Sequence, residues 1–331
     1  MILDASRQNI YEALVAMFAV ALLLAVGYIA HIGDISLVVT STAPLGAMLQ
    51  RFEYSHPTLS ILAVAPLFST VVLRLSRLTF SIGLYPIKTY AIFFVEALLL
   101  ATYALVEGIL VPLICVLLIA EASINVSSCF GGHISIHRLF KAMLAFGILP
   151  LFDGALSAVA IVAVFVAILF LGSLRGAVLS LVGLALPMFA YCYVDWLLGG
   201  EFMDGVFLLR DNLIEPTYLP FKAYITLPRM VMGVLCLVLL FATLLYYLSM
   251  RLTLGAQVRR MWNYLWMMLA LLVVILLLLP SVSTACVLVV VSLIGIFIPM
   301  LLRYLSPVVS MLITLIMIGA VVIVVISQYI A

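Results

Sequence analysis

Apolar residues fill this chain in long runs broken only by short polar turns. The runs cover roughly residues 10–30, 58–76, 88–106, 107–126, 139–152, 154–173, 177–197, 223–250, 262–280, 282–302 and 306–327. Several reach the roughly 20 residues that a helix needs to cross a hydrocarbon core. Strands of a membrane barrel would alternate apolar and polar positions, and these runs do not. The pattern predicts an all-α polytopic transmembrane bundle of about 11 helices, 10 and 12 being the neighbouring counts. The 139–152 run is short for a full crossing and reads as a short span or a half-helix.

Two segments break the pattern, about 31–57 and 198–222. They mix apolar, aromatic and charged residues, as in TSTAPLGAMLQRFEY and EFMDGVFLLRDNLIEPTYLPF. Such mixing suits short helices lying in the membrane interface better than a soluble domain. No Ser/Gly linker, low-complexity tract or internal repeat divides the chain, so residues 1–331 read as a single transmembrane domain. The first run is long and lacks a convincing cleavage site, which predicts a retained first helix rather than a signal peptide.

Composition supports the membrane reading: 68% of the 331 residues are hydrophobic and 8% charged, with a mean hydropathy of +1.42. Soluble domains carry about a quarter charged residues. A net charge of +2 gives no argument for nucleic acid as a partner. With the N-terminus in the cytoplasm, eleven of the fifteen Lys and Arg residues fall inside. That is the positive-inside bias, and it predicts a cytoplasmic N-terminus with the C-terminus on the outer side. The outer side then collects Asp34, Glu53, Glu107, Asp195, Glu201, Asp204, Asp211 and Glu215.

The few polar groups inside apolar runs are the functional candidates. Glu96 stands alone in AIFFVEALLLATYALV, and Thr89, Glu96 and Tyr103 recur at intervals of seven with Glu107 four further on. A carboxyl there either handles a proton, ion or substrate group, or rests as a protonated acid bonded to a neighbouring helix. Asp34, in HIGD, is placed as a general base or cation ligand at the outer face, or as a loop residue fixing a turn. Asp153, in LFDG, reads as the N-cap of a helix starting at Gly154. Asp195 and Trp196 belong to a terminal aromatic cluster, which is a membrane belt or a platform for a sugar ring. Arg210, Lys222 and Arg229 could contact a lipid phosphate or form a solvated rim.

On the inner side, Glu121 is placed to pair with Arg138 or with the His133/His137 cluster. Arg259 and Arg260 ahead of Trp262, Tyr264 and Trp266 read as an interfacial anchor. His133 and His137 lack a third ligand and the five cysteines lack metal or disulfide spacing, so no metal site is predicted.

Residues 139–200 run LFKAMLAFGILPLFDGALSAVAIVAVFVAILFLGSLRGAVLSLVGLALPMFAYCYVDWLLGG. A short helix leads into LFDG and a long apolar helix. The basic turn SLRG follows, then a helix with Gly183, Pro187 and the aromatic cluster. This order resembles a family of uncharacterised multi-pass inner-membrane proteins of Gram-negative bacteria. More distantly it resembles the membrane core of the GT-C glycosyltransferases, which take sugars from polyprenyl-phosphate carriers.

That resemblance implies envelope glycan assembly at the outer face, a lipid-linked-sugar carrier as partner, and membrane lipids around it. Asp34 would match the acid of the first outer loop, as base or as holder of a divalent cation, with Asp153 and Asp195 as further catalytic candidates. Arg210, Lys222, Arg229 and Trp196 would contact the substrate. Chains in the GT-C class commonly carry paired acids in that loop and a large outer domain, and this chain has neither. Two other readings stand beside it: a secondary transporter coupled through Glu96, and a non-catalytic membrane subunit of an envelope or secretion complex.

Overall fold

In the computed structural model, residues 10–31, 43–85, 89–104, 109–131, 135–214, 227–278 and 283–330 are described. Each of the eleven apolar runs becomes a helix: α1 (Ile10–His31), α3 (Pro57–Ile82), α4 (Ala91–Ala104), α5 (Leu110–Ser127), α6 (Ile136–Phe152), α7 (Leu156–Leu171), α8 (Leu174–Leu197), α10 (Leu227–Met250), α11 (Ala256–Leu278), α12 (Thr284–Tyr304) and α13 (Pro307–Ile330). The two mixed segments supply the short helices α2 (Pro44–Ser55) and α9 (Asp204–Ile214). No strand occurs among the described residues.

Local chemistry sets many of the boundaries. Pro44, Pro57 and Pro307 open their helices at a position where the missing N–H costs nothing. Ser173 and Ser283 cap α8 and α12 by accepting from the Gly176 and Cys286 amides at 3.1 and 3.3 Å. Gly83 and Gly172 end α3 and α7 in the left-handed conformation that a side chain would resist.

Seven of the helices are long and apolar enough to cross a membrane, and α1, α4 and α7 contain shorter apolar stretches. The central one is α12: 94% of its most apolar window is buried, against 17% for α8 and 28% for α10. It packs on α4, α5, α10 and α11, while α6 lies between α5 and α8. Outer helices present apolar side chains to their surroundings, among them Leu62, Phe241 and Leu277. An outside this apolar is stable only against lipid.

Helix α2 shows the same inversion. Gln50 and Glu53 face inward and are buried, whereas Met48 and Phe52 face out. The Glu53 carboxylate accepts from the Ile109 amide at 2.9 Å. Ile109 is the N-cap residue of α5 and has no oxygen of its own to offer that helix end. A carboxylate supplied from another helix fills the role and complements the positive helix terminus.

Helices α6 and α8 approach most closely through glycine. A Cβ on Gly147 would collide with the Leu184 carbonyl, and one on Gly183 would come within 2.6 Å of the Met143 Cβ. Small residues at such crossings let backbones touch, the usual device where lipid removes the hydrophobic drive between helices.

Two expectations are corrected at the α11 end. Trp262 and Tyr264 are fully buried rather than set in the interface. Trp262 Nε1 donates to the Leu84 carbonyl at 2.9 Å, and the ring packs against Tyr247 and Phe297. An indole whose N–H is satisfied inside the protein has no need of the headgroup layer.

Candidate anion-binding recess

A polar concavity lies where the ends of α3, α5, α6 and α11 meet. Arg74 and Arg77 come from α3, three residues apart and so on one face. Arg138 and Lys141 stand in the first turns of α6 at the same spacing. Helix α5 contributes Glu121, Asn125, Ser127 and Ser128, and α11 contributes Gln257. Together with Ile124 they line a recess of about 530 Å³.

Glu121 organises it. Its Oε1 accepts from Lys141 Nζ at 2.9 Å, and its Oε2 lies 3.3 Å from Arg74 Nη1. Asn125 Nδ2 donates to the Glu121 backbone carbonyl at 2.8 Å and to its Oε1 at 3.3 Å. The expected partner, Arg138, is therefore not the one used. Arg74 reaches in from the neighbouring helix, a contact that sequence spacing within α5 and α6 could not reveal. Arg77 and Arg138 carry no ion pair among the described residues. Counting Arg74, Arg77, Arg138 and Lys141 against Glu121 leaves the recess about three charges positive.

The site residues expected from sequence fall elsewhere. Asp34, Glu107 and Lys222 lie outside the described residues, as does the Tyr103 side chain. Asp195 and Trp196 sit near the end of α8, where Trp196 is exposed. Arg210, on α9, pairs with Asp211 at 2.8 Å and covers the Phe207 ring. Arg229 is buried in α10 rather than placed on a solvated rim, and α10 packs on α12 and α13. Asp195 and Arg210 thus share the α8–α9 arm, while Arg229 belongs to a different helix pair.

Asp153 is the C-cap residue of α6 rather than the N-cap of α7, which begins two residues later than predicted and has Ala155 as its N-cap. Its Oδ1 accepts from the Ala155 amide at 3.0 Å. Burial raises its carboxyl above the ordinary range, and hydrogen bonds from Ser283 and Ala155 pull it partly back. Because Ser283 also caps α12, this corner ties the α6–α7 turn to the central helix.

Glu96 is fully buried on α4, facing Gly295 of α12: a Cβ at Gly295 would lie 2.6 and 2.7 Å from its two carboxyl oxygens. Thr89 stands just ahead of α4 and accepts from the Ala91 amide at 3.2 Å, so it caps the helix.

Apolar helices of this length, with lipid-compatible outer faces, define an integral multi-pass membrane protein of the all-α class. Comparison with models of protein families, with the curated proteins and with the solved structures gives no match.

Proposed function

We propose that the protein binds a phosphate-bearing ligand at the cation-rich end of its bundle, in the recess around Glu121. What supports the reading is one arrangement: Arg74, Arg77, Arg138 and Lys141 around about 530 Å³ with a single opposing carboxylate. Guanidinium forks match phosphate oxygens two at a time, and lysine adds a point charge. Arg77 and Arg138 are the ligand-facing pair, since Arg74 and Lys141 are held by Glu121.

By the positive-inside bias this end would face the cytoplasm, and the resemblance of residues 139–200 would set it in the inner membrane of a Gram-negative cell. The phosphate would then be met from the face opposite to the one Asp34 would serve. A polyprenyl-phosphate headgroup, the carrier implied by the resemblance of residues 139–200, offers the required chemistry. So does a free phosphate compound. Glycosyl transfer from such a carrier, with Asp34 as base or cation holder, rests on that resemblance.

The test uses the full chain in nanodiscs of neutral phosphatidylcholine. Binding is titrated with inorganic pyrophosphate and, separately, with polyprenyl phosphate placed in the bilayer. Saturable binding to either supports the reading, and the one that binds identifies the source. The Arg77→Gln/Arg138→Gln double variant keeps the Glu121 pairs and should lose about tenfold or more, because hydrogen bonds to charged groups contribute about 1.5–3 kcal/mol each. Wild-type protein that binds neither probe, or a double variant that binds as well as wild type, would overturn it.

A further inference from the structure

We infer that Glu96 is a proton-binding site of the membrane core, its protonated carboxyl donating to the backbone carbonyl of Gly295. Three observations converge there. Glu96 is fully buried, and among the described residues neither carboxyl oxygen has a hydrogen-bond partner. Its carboxyl rests on Gly295 so closely that a Cβ at that position would have to displace it. Pro299 lies four residues beyond Gly295 inside α12 and has no N–H to give. In an unbroken helix that N–H would bond the Gly295 carbonyl, so the proline leaves this acceptor without its helical donor.

Among the described residues the site therefore offers Glu96 a carbonyl that has lost its helical donor. It lacks a free donor or a positive charge, since the nearby Tyr85 hydroxyl is given to Ile296. A lone carboxylate in a dry interior takes a proton rather than stay charged without a partner. One proton satisfies the arrangement, because a protonated carboxyl is a donor and the carbonyl beside it accepts.

Of the elements around α4, the turn after α3 brings Tyr85 to Glu96, and the Tyr85 hydroxyl donates to the Ile296 carbonyl next to Gly295. The helices α1, α3, α12 and α13 bring no charged group to it among the described side chains. Beside Tyr85, the Trp262 indole donates to the Leu84 carbonyl and packs on Tyr247, whose hydroxyl donates to Asn263 Oδ1 at 2.7 Å. Proton release would leave a bare charge between α4 and the central helix, so protonation of Glu96 governs that contact.

Infrared spectra of the full chain in nanodiscs test this. Wild type at neutral pH shows the carbonyl band of a protonated acid that Glu96→Gln lacks, and the band shifts promptly in D2O because the proton exchanges. Gln keeps the shape, and its amide donates to the same carbonyl. Pro299→Ala restores the helical donor and moves the band toward that of a weakly bonded acid. No Glu96-dependent band, a band that D2O never shifts, a band unmoved in Pro299→Ala, or its loss when sodium chloride is added would each overturn the assignment. The last outcome would mark a sodium site instead. Should Glu96→Gln fail to fold, the D2O, salt and Pro299→Ala arms still decide.

Discussion

Replacing Glu121 by Gln separates an electrostatic recess from a merely structural one. A sphere of the recess volume, about 530 Å³, has a radius of about 5 Å, so a ligand charge near its middle lies about 6 Å from the Glu121 carboxylate. Repulsion at that distance is about 0.7 kcal/mol at the dielectric of water and about 2.8 kcal/mol at an effective value near 20. Physiological salt roughly halves either figure. Removing the carboxylate should therefore tighten anion binding by about 0.3–1.4 kcal/mol per unit of ligand charge, about two- to tenfold. The fold should tolerate the change, since Arg74 and Lys141 are partly exposed at 40% and 55% and such pairs contribute about 0–1 kcal/mol. Calorimetric titration with inorganic pyrophosphate at two salt concentrations reads the effect, which should shrink in high salt. Unchanged or weaker binding by Glu121→Gln, with the melting temperature preserved, would refute the electrostatic argument.

Three further outcomes follow from the geometry. Gly147→Ala gains about 1 kcal/mol of helix propensity, yet drives a methyl into the Leu184 backbone, which cannot step aside as a side chain end can. A net loss of about 1–2 kcal/mol is expected, with Gly319→Ala, where nothing lies within 4 Å, neutral or stabilising in the same thermal assay. Glu53→Ala removes the acceptor for Ile109, costing about 1–2 kcal/mol on the scale of a lost N-cap; hydrogen exchange should rise in the first turn of α5 and not at its far end. Asp153 has its folded-state affinity for a proton raised by burial. Its favourable contribution is therefore complete below the unfolded value and lost as pH rises through the folded one. Asp153→Asn keeps an oxygen for Ala155 and should flatten the fall in melting temperature over that window; a slope equal to wild type would count against it.

Helix placement was readable because each span is an unbroken apolar run, and the mixed segments that become α2 and α9 differ from their neighbours in composition. The boundary at Asp153 was partly readable, since an acid before a glycine and an apolar run accepts from a nearby backbone amide, although the cap position itself falls on Ala155. Partners across the bundle were not. Glu53 looks like an outer-loop acid until α2 is seen to turn its polar face inward toward Ile109. Trp262 and Tyr264 look like interfacial aromatics until α11 is seen to pack Trp262 against Phe297 of α12 and Tyr264 against Phe130 and Phe170. Arg74 and Lys141 lie 67 positions apart, and only helix packing brings both to Glu121. In an apolar solvent the usual rule of polar side out no longer separates inner from outer faces, so one-dimensional pattern loses its strongest clue.

Glycine four residues ahead of an in-helix proline occurs in both α8 (GLALP, 183–187) and α12 (GIFIP, 295–299). The proline strips the glycine carbonyl of its donor, and the glycine leaves that stretch of backbone uncovered. In α8 the uncovered stretch receives Met143 of α6, a packing contact. In α12 it receives the carboxyl of Glu96. The same local device thus yields a tight crossing in one helix and a seat for an acid in the other, and what differs is the residue the neighbouring helix presents. Burial of Glu96 is therefore a property of the central helix as much as of α4: an intact helix would offer it a closed cylinder, whereas α12 offers a carbonyl without its helical donor at the level where α4 carries its carboxyl.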